Sequence, residues 1–135
     1  MKKVLFVDDE VIILYMIREF FDDFKEYEIF TASNGEEALQ LIKKENISVI
    51  FTDVQMPIMN GLELCKEIRK FDQTASVIAL TAFQKVFRYM RFREEGFDDC
   101  LKKPFDLEEI KEVLDYSFKK VARCKQLYNE AKKCG

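Results

Sequence analysis

Short apolar runs and amphipathic stretches alternate five times along the chain. Lys2 to Val7 has strand character and ends on two acids, Asp8 and Asp9. From near Val11, the side chains Ile13, Leu14, Ile17, Phe20, Phe21 and Phe24 recur at helical spacing. Tyr27 to Thr31 predicts a second strand. Asn34-Gly35 marks a turn, and Glu36 to Glu45 predicts a helix with Ala38, Leu39 and Ile42 facing inward. Ile47 to Phe51 is β-branched and aromatic, the pattern of a strand buried on both faces, and it leads directly to Asp53. Pro57 keeps a helix from starting there.

Beyond Gly61 the pattern repeats. Leu62 to Phe71 predicts a helix burying Leu64 and Ile68, and Val77 to Leu80 a fourth strand ending on Thr81-Ala82. Gln84 to Glu95 predicts a helix closed by Gly96, a residue suited to the left-handed C′ position. Asp99 to Leu101 predicts a short fifth strand, followed by Lys102-Lys103-Pro104-Phe105. With Asp106 as its N-cap, one helix then runs nearly to the end. In it Leu107, Ile110, Leu114, Phe118 and Val121 face the core, while Cys124, Tyr128 and Ala131 continue a three-four spacing compatible with a short coiled-coil seam. The expected division is a domain over residues 1–122 and a helical extension over 123–135, leading toward a partner or an output domain. The order (βα)₅ implies an α/β fold with a doubly wound parallel sheet.

Composition narrows the class. The 135 residues are 48% hydrophobic and 35% charged, as expected for one soluble domain. A net charge of -3 argues against nucleic-acid binding by bulk electrostatics. The longest apolar stretch, Val11 to Ile17, is too short for a membrane span, and Asp8 and Asp9 interrupt the only early run that a signal peptide would need. A cytoplasmic location is expected. The four cysteines form no C-x-x-C pair, so they read as packing thiols rather than a zinc site. Histidine is absent, which excludes Ser-His and Cys-His catalysis and any phosphohistidine carried by the chain itself.

The polar residues that remain fall at strand ends: Asp8 and Asp9 after the first, Asp53 after the third, Thr81 after the fourth and Lys103 after the fifth. Each alone has an ordinary reading, as a cap, a strand end or a solvated lysine. Together they converge, because strand order 2-1-3-4-5 reverses between strands one and three and sets the three aspartates side by side. Two such charges about 4 Å apart repel by about 4 kcal/mol at an effective dielectric near 20, so either pKa values rise or a cation binds. Mg²⁺, which is content with one or two carboxylates plus waters, suits such a pocket, with Mn²⁺ as an alternative ion. A carboxylate, a lysine and a hydroxyl beside the ion form a phosphoryl-transfer set with Asp53 as nucleophile.

The strings Asp8-Asp9-Glu10, Ala32-Ser33-Asn34-Gly35-Glu36-Glu37-Ala38-Leu39, Asp53-Val54-Gln55-Met56-Pro57-Ile58-Met59-Asn60-Gly61, Thr81-Ala82 and Lys103-Pro104-Phe105 resemble the receiver domain of two-component response regulators. The resemblance covers about residues 1 to 122 and implies a CheY-like, flavodoxin-like fold. It implies phosphorylation of Asp53 by a sensor histidine kinase or phosphotransfer protein. Asp8, Asp9, Asp53 and the Gln55 carbonyl are then metal ligands, Thr81 and Lys103 hold the phosphoryl group, and the Lys103-Pro104 bond is cis. It further implies that the surface of the fourth helix, fifth strand and last helix meets an output domain or a second copy. Beyond self-catalysed phosphoryl acceptance and hydrolysis, no enzymatic activity is expected.

Three positions depart from the usual pattern or tune it. Cys100 stands where receivers usually carry an aromatic ring, so switching is expected to run through the loop after Thr81 and the aromatics Phe83, Phe87, Tyr89 and Phe92. Phe83 and Gln55 border the phosphoryl position, and Phe83 is expected to lengthen the phosphoryl lifetime. Arg88, Arg91 and Arg93 read as a charged outer face. Two other readings compete: a haloacid-dehalogenase-like phosphatase, whose nucleophile sits on the first strand, and a receiver-fold binding module that is not phosphorylated.

Overall fold

A computed structural model describes residues 1–82 and 89–134. The elements are β1 (Lys2–Val7), α1 (Val11–Phe21), β2 (Tyr27–Ala32), α2 (Gly35–Glu45), β3 (Val49–Asp53), α3 (Gly61–Phe71), β4 (Ser76–Thr81), α4 (Tyr89–Glu94), β5 (Asp99–Lys102) and α5 (Leu107–Cys134). The strands form one parallel sheet in the order β2-β1-β3-β4-β5, as the alternation predicts.

Strand periodicity sends alternate side chains to opposite faces, and each face meets its own helices. Leu5, Val7, Ile50, Val77 and Ala79 pack with Ala38, Ile42, Leu64, Ile68 and Phe92 from α2, α3 and α4. On the other side, Val4, Phe6, Phe51, Ile78 and Leu80 pack with Ile17 and Phe21 of α1 and with Ile110, Leu114 and Val121 of α5. Every residue of β3 and β4 is buried, which explains why those strands read as continuous apolar runs rather than alternating ones.

The boundaries differ from the sequence expectation where pairing or capping decides them. The third strand lies two residues later than Ile47 to Phe51, because pairing with β4 runs from Val49↔Ser76 to Asp53↔Leu80. Ile47 instead donates its backbone N–H to the Ile42 carbonyl, closing α2 behind the left-handed Asn46. Helix α1 stops at Phe21, and Phe24 lies beyond it with its ring against Phe20 and Phe21. Asn34 is an N-cap, accepting from the Glu37 N–H at 2.9 Å, so α2 starts at Gly35. Asn60 caps α3 the same way through the Glu63 N–H. Gly96 has φ 106°, as a C′ glycine should. Residues 83 to 88, which hold the predicted start of the fourth helix together with Phe83, Phe87 and Arg88, lie outside the described residues.

At the end of the sheet opposite Asp53, Arg69 ties loops together. Its guanidinium donates to the carbonyls of Gly96 (2.7 Å) and Ala75 (2.7 Å) and to the Asp98 carboxylate (2.8 Å). Asp98 in turn accepts from the Val77 N–H and from Lys120 of α5. Cys65, Cys100 and Cys124 are free thiols. Burial pushes the Cys65 thiol up to about 11 and also raises Cys100, with Asp99 adding to it, so both stay protonated packing groups. Among the described residues, no helix is long and apolar enough to cross a membrane.

Candidate functional site

The site is assembled by strands that stop at one level. Asp8 follows β1, Asp53 is the last residue of β3, Thr81 the last of β4, and Lys103 follows β5. Carboxylate oxygens of Asp8, Asp9 and Asp53 lie within 4.8 Å of one another. Asp8 is 1% exposed, Asp53 is 8% exposed, and Asp9 reaches solvent. The Lys103 ammonium sits against this cluster, 2.8 Å from Asp8 Oδ2, 3.4 Å from Asp53 Oδ2 and 3.7 Å from Glu10 Oε1. The cleft above has a volume of about 250 Å³ and is lined by Asp9, Glu10, Asp53, Gln55, Thr81 and Lys103, with Val54 and Ala82.

Local hydrogen bonds hold these groups. Asp8 Oδ1 accepts from the Glu10 N–H at 2.9 Å, which leaves Oδ2 for the lysine. The Lys103 N–H donates to the Thr81 carbonyl at 2.7 Å, locking the end of β5 to the end of β4. The Lys103-Pro104 bond is cis, as the resemblance implies. The Gln55 N–H points at Asp53 Oδ1 at 3.4 Å. Behind Asp53, a Cβ at Gly61 would collide with the Asp53 carbonyl oxygen and lie 3.0 Å from Val54 Cα. Both are backbone atoms, so Gly61→Ala is expected to displace the loop bearing Asp53. The cost should be about 1–3 kcal/mol in a chemical denaturation curve. A variant with unaltered stability would show that the loop absorbs the clash.

The electrostatics follow from burial. Desolvation is the largest influence on Asp53 and raises its pKa; Lys103 pulls it down, Asp8 pushes it up again, and the net shift is upward. For Lys103, burial opposes the charge, but hydrogen bonding and attraction from Asp8, then Asp53, outweigh it and raise the pKa. One ammonium thus faces four carboxylates, counting Glu10. Net negative charge remains, carried by hard oxygen donors of the kind that a divalent cation with waters in its shell prefers. The residues fit a divalent cation.

Of the residues expected at the site, Asp9, Asp53, Gln55, Thr81 and Lys103 line the cleft and Asp8 joins them through the carboxylate cluster, while Phe83 lies outside the described residues. Glu10 is the member that motif reading left without a role, and its signal was adjacency to the Asp8-Asp9 pair. Outside the cleft, Ile58 in the loop after β3 has a backbone feature the sequence did not show. It is 73% exposed and holds φ 71°, a left-handed conformation that a β-branched residue rarely adopts. Nothing in residue type announces that.

The acids of the central strands of a doubly wound α/β domain are thus gathered under one lysine. The model for the response regulator receiver domain matches residues 4–115, and the chain belongs to that family. It is 35% identical over 130 residues to the transcriptional regulatory protein CrdR of Helicobacter pylori, a match spanning 96% of this chain and 56% of that protein. It is 32% identical to sporulation initiation phosphotransferase F of Bacillus subtilis, over 84% of this chain and 90% of that one. Among solved structures, the response regulator TrrA of Thermotoga maritima, crystallised in complex with Mg²⁺ and BeF, superposes with a TM-score of 0.76 at 36% identity, covering 87% of this chain and 99% of that one. The chain is therefore a two-component receiver domain, a regulatory phosphoaccepting module. The phosphatase and non-phosphorylated alternatives are not favoured. Receiver domains bind Mg²⁺ at an acidic pocket and interact with histidine kinases or phosphotransfer proteins.

Proposed function

We propose that Asp53 accepts the phosphoryl group, in the cytoplasm, from the phosphohistidine of a sensor kinase or phosphotransfer protein. The observation that carries this reading is the convergence of Asp8, Asp9 and Asp53 oxygens within 4.8 Å under an ammonium that already touches two of them. An Asp53 oxygen attacks phosphorus; the new P–O bond forms as the P–N bond breaks, and the imidazole nitrogen keeps the electron pair and takes a proton. Lys103 neutralises charge on the phosphoryl oxygens, and the Thr81 hydroxyl and the backbone N–H groups beside it donate to them. Asp8, Asp9, Asp53 and the Gln55 carbonyl would hold Mg²⁺, or Mn²⁺ in its place, which supplies positive charge to the phosphoryl oxygens. The added charge then biases the surface built from α4, β5 and α5 toward its output, a further domain or a second copy. We take residues 1–122 as the switching unit and 123–135 as its helical extension.

The test is intact-mass analysis after incubation with acetyl phosphate. One phosphoryl group per chain is expected with Mg²⁺ present and none with excess chelator. Equal uptake under chelation would remove the divalent ion from the reaction.

A further inference from the structure

The inner face of α5 does not stop where the domain does. Ile110, Leu114, Ser117 and Val121 are buried against the sheet at alternating steps of four and three. The same steps continue through Cys124, Tyr128 and Ala131, with Cys124 half-buried and the last two exposed. Tyr128 is 56% exposed, and across from it Phe71, the last residue of α3, is 47% exposed. Between them lies a cleft of about 380 Å³ whose rim includes Gln73, Thr74, Lys125 and Asn129. Each exposed ring carries a lysine: Lys43 lies 5.2 Å over Phe71, and Lys132 lies 4.8 Å over Tyr128. Asp72, on the same rim, is already committed to the N–H groups of Thr74 and Ala75 and to the Thr74 hydroxyl.

Charge is segregated in the same way. Six of the 22 basic residues but only one of the 25 acidic ones fall in residues 116–135, so that segment carries +5 while residues 1–115 carry -8. A second copy of this helix is a poor occupant. With Tyr128 as an a position of a coiled-coil seam, Lys125 would face Lys132 in an antiparallel pair, and a parallel pair would lay two segments of charge +5 side by side. An extended anionic surface, lipid or nucleic acid, would also approach the negative body. A slender acidic element reaches the arm alone.

We propose that the α5 extension and the Phe71–Tyr128 cleft dock an acidic amphipathic helix of a partner protein, its apolar stripe on Cys124, Tyr128 and Ala131 and its carboxylates on Lys43, Lys125 and Lys132. The site lies at the end of the domain away from Asp53 and does not depend on phosphoacceptance.

The experiment uses the full chain and a fluorescein-labelled four-heptad peptide with leucine at a and d and glutamate at e and g. Saturable binding in anisotropy is expected, weakening at least about tenfold on going from low to high salt, as screened ion pairs require. Lys125→Glu/Lys132→Glu and, separately, Tyr128→Ser should each weaken it at least tenfold. Their melting temperatures should fall only slightly, because these side chains are solvent-facing and lose only surface interactions. Absent binding, equal affinity for parent and variants, equal affinity for the same peptide with lysine at e and g, or dimerisation of the chain in place of binding would each overturn the proposal. So would tighter binding to phosphatidylglycerol vesicles or duplex DNA than to the peptide.

Discussion

Asp53→Asn is expected to take up no phosphoryl group from acetyl phosphate and Mg²⁺, against one group per chain for the parent, in the intact mass. An amide nitrogen or oxygen is too poor a nucleophile to form the acyl phosphate, and Asp8, the other buried acid of the cluster, is spent on Lys103 and the Glu10 N–H. The same substitution should raise the melting temperature of the metal-free protein at pH 7. Burial first, then the nearby Asp8 charge, hold the Asp53 carboxyl above its ordinary 3.8, with Lys103 opposing them. An acid whose folded pKa exceeds its unfolded one costs nothing below the unfolded value. It costs progressively more as pH climbs toward the folded value, and the full amount above it. The advantage of asparagine should therefore vanish near pH 3 and grow on the way to neutrality. Residual phosphorylation of the variant, or a lower melting point at pH 7 under chelation, would contradict this account.

Lys103→Ala should lose both rate and stability, and the two losses should separate. The ammonium is the one cation among the described residues lining the cleft, so phosphoryl uptake should fall by about 10²–10³, the usual cost of removing one donor to developing charge. In chelator, Asp8 would be left 1% exposed with no positive partner, a loss of about 3–5 kcal/mol by the general cost of breaking a buried ion pair. Mg²⁺ should return most of that stability, since a divalent ion can neutralise Asp8 and Asp53, while uptake stays slow. If Mg²⁺ restored the rate as fully as the stability, the lysine would be a structural counter-charge only.

Much of the site was legible because its residues occupy strand ends that the apolar pattern already marks. Asp53 is visible as the acid that terminates Val49–Phe51, and Thr81 as the hydroxyl that terminates Ser76–Leu80. Lys103 is harder, since a lysine in Lys102-Lys103-Pro104 looks like a solvated turn; its place after the fifth strand raised it, and the Lys-Pro-Phe string strengthened the reading. Boundaries failed where the deciding partner lies elsewhere in the chain. Ile47 has strand chemistry, yet it closes α2, because Ser76 rather than any local preference sets where β3 begins pairing. Gly61 reads as a loop breaker, but its importance is the missing Cβ against the Asp53 carbonyl, a contact that spacing does not reveal.

Residue order by itself determined the alternation of strands and helices, which faces are apolar, and which reactive groups stand at the carboxyl ends, because those follow from periodicity and side-chain chemistry within a few residues. The tertiary structure alone decided how charge is shared. Lys103 bonds Asp8 at 2.8 Å and approaches Asp53 at 3.4 Å, and Glu10 joins the cleft, because β1, β3 and β5 end at one level of a twisted sheet. It likewise set Tyr128 across a cleft from Phe71, residues 57 positions apart, since only packing of α5 along the sheet brings its far end to the end of α3. Electrostatic and packing energies depend on distance through space, and distance along the chain does not specify it.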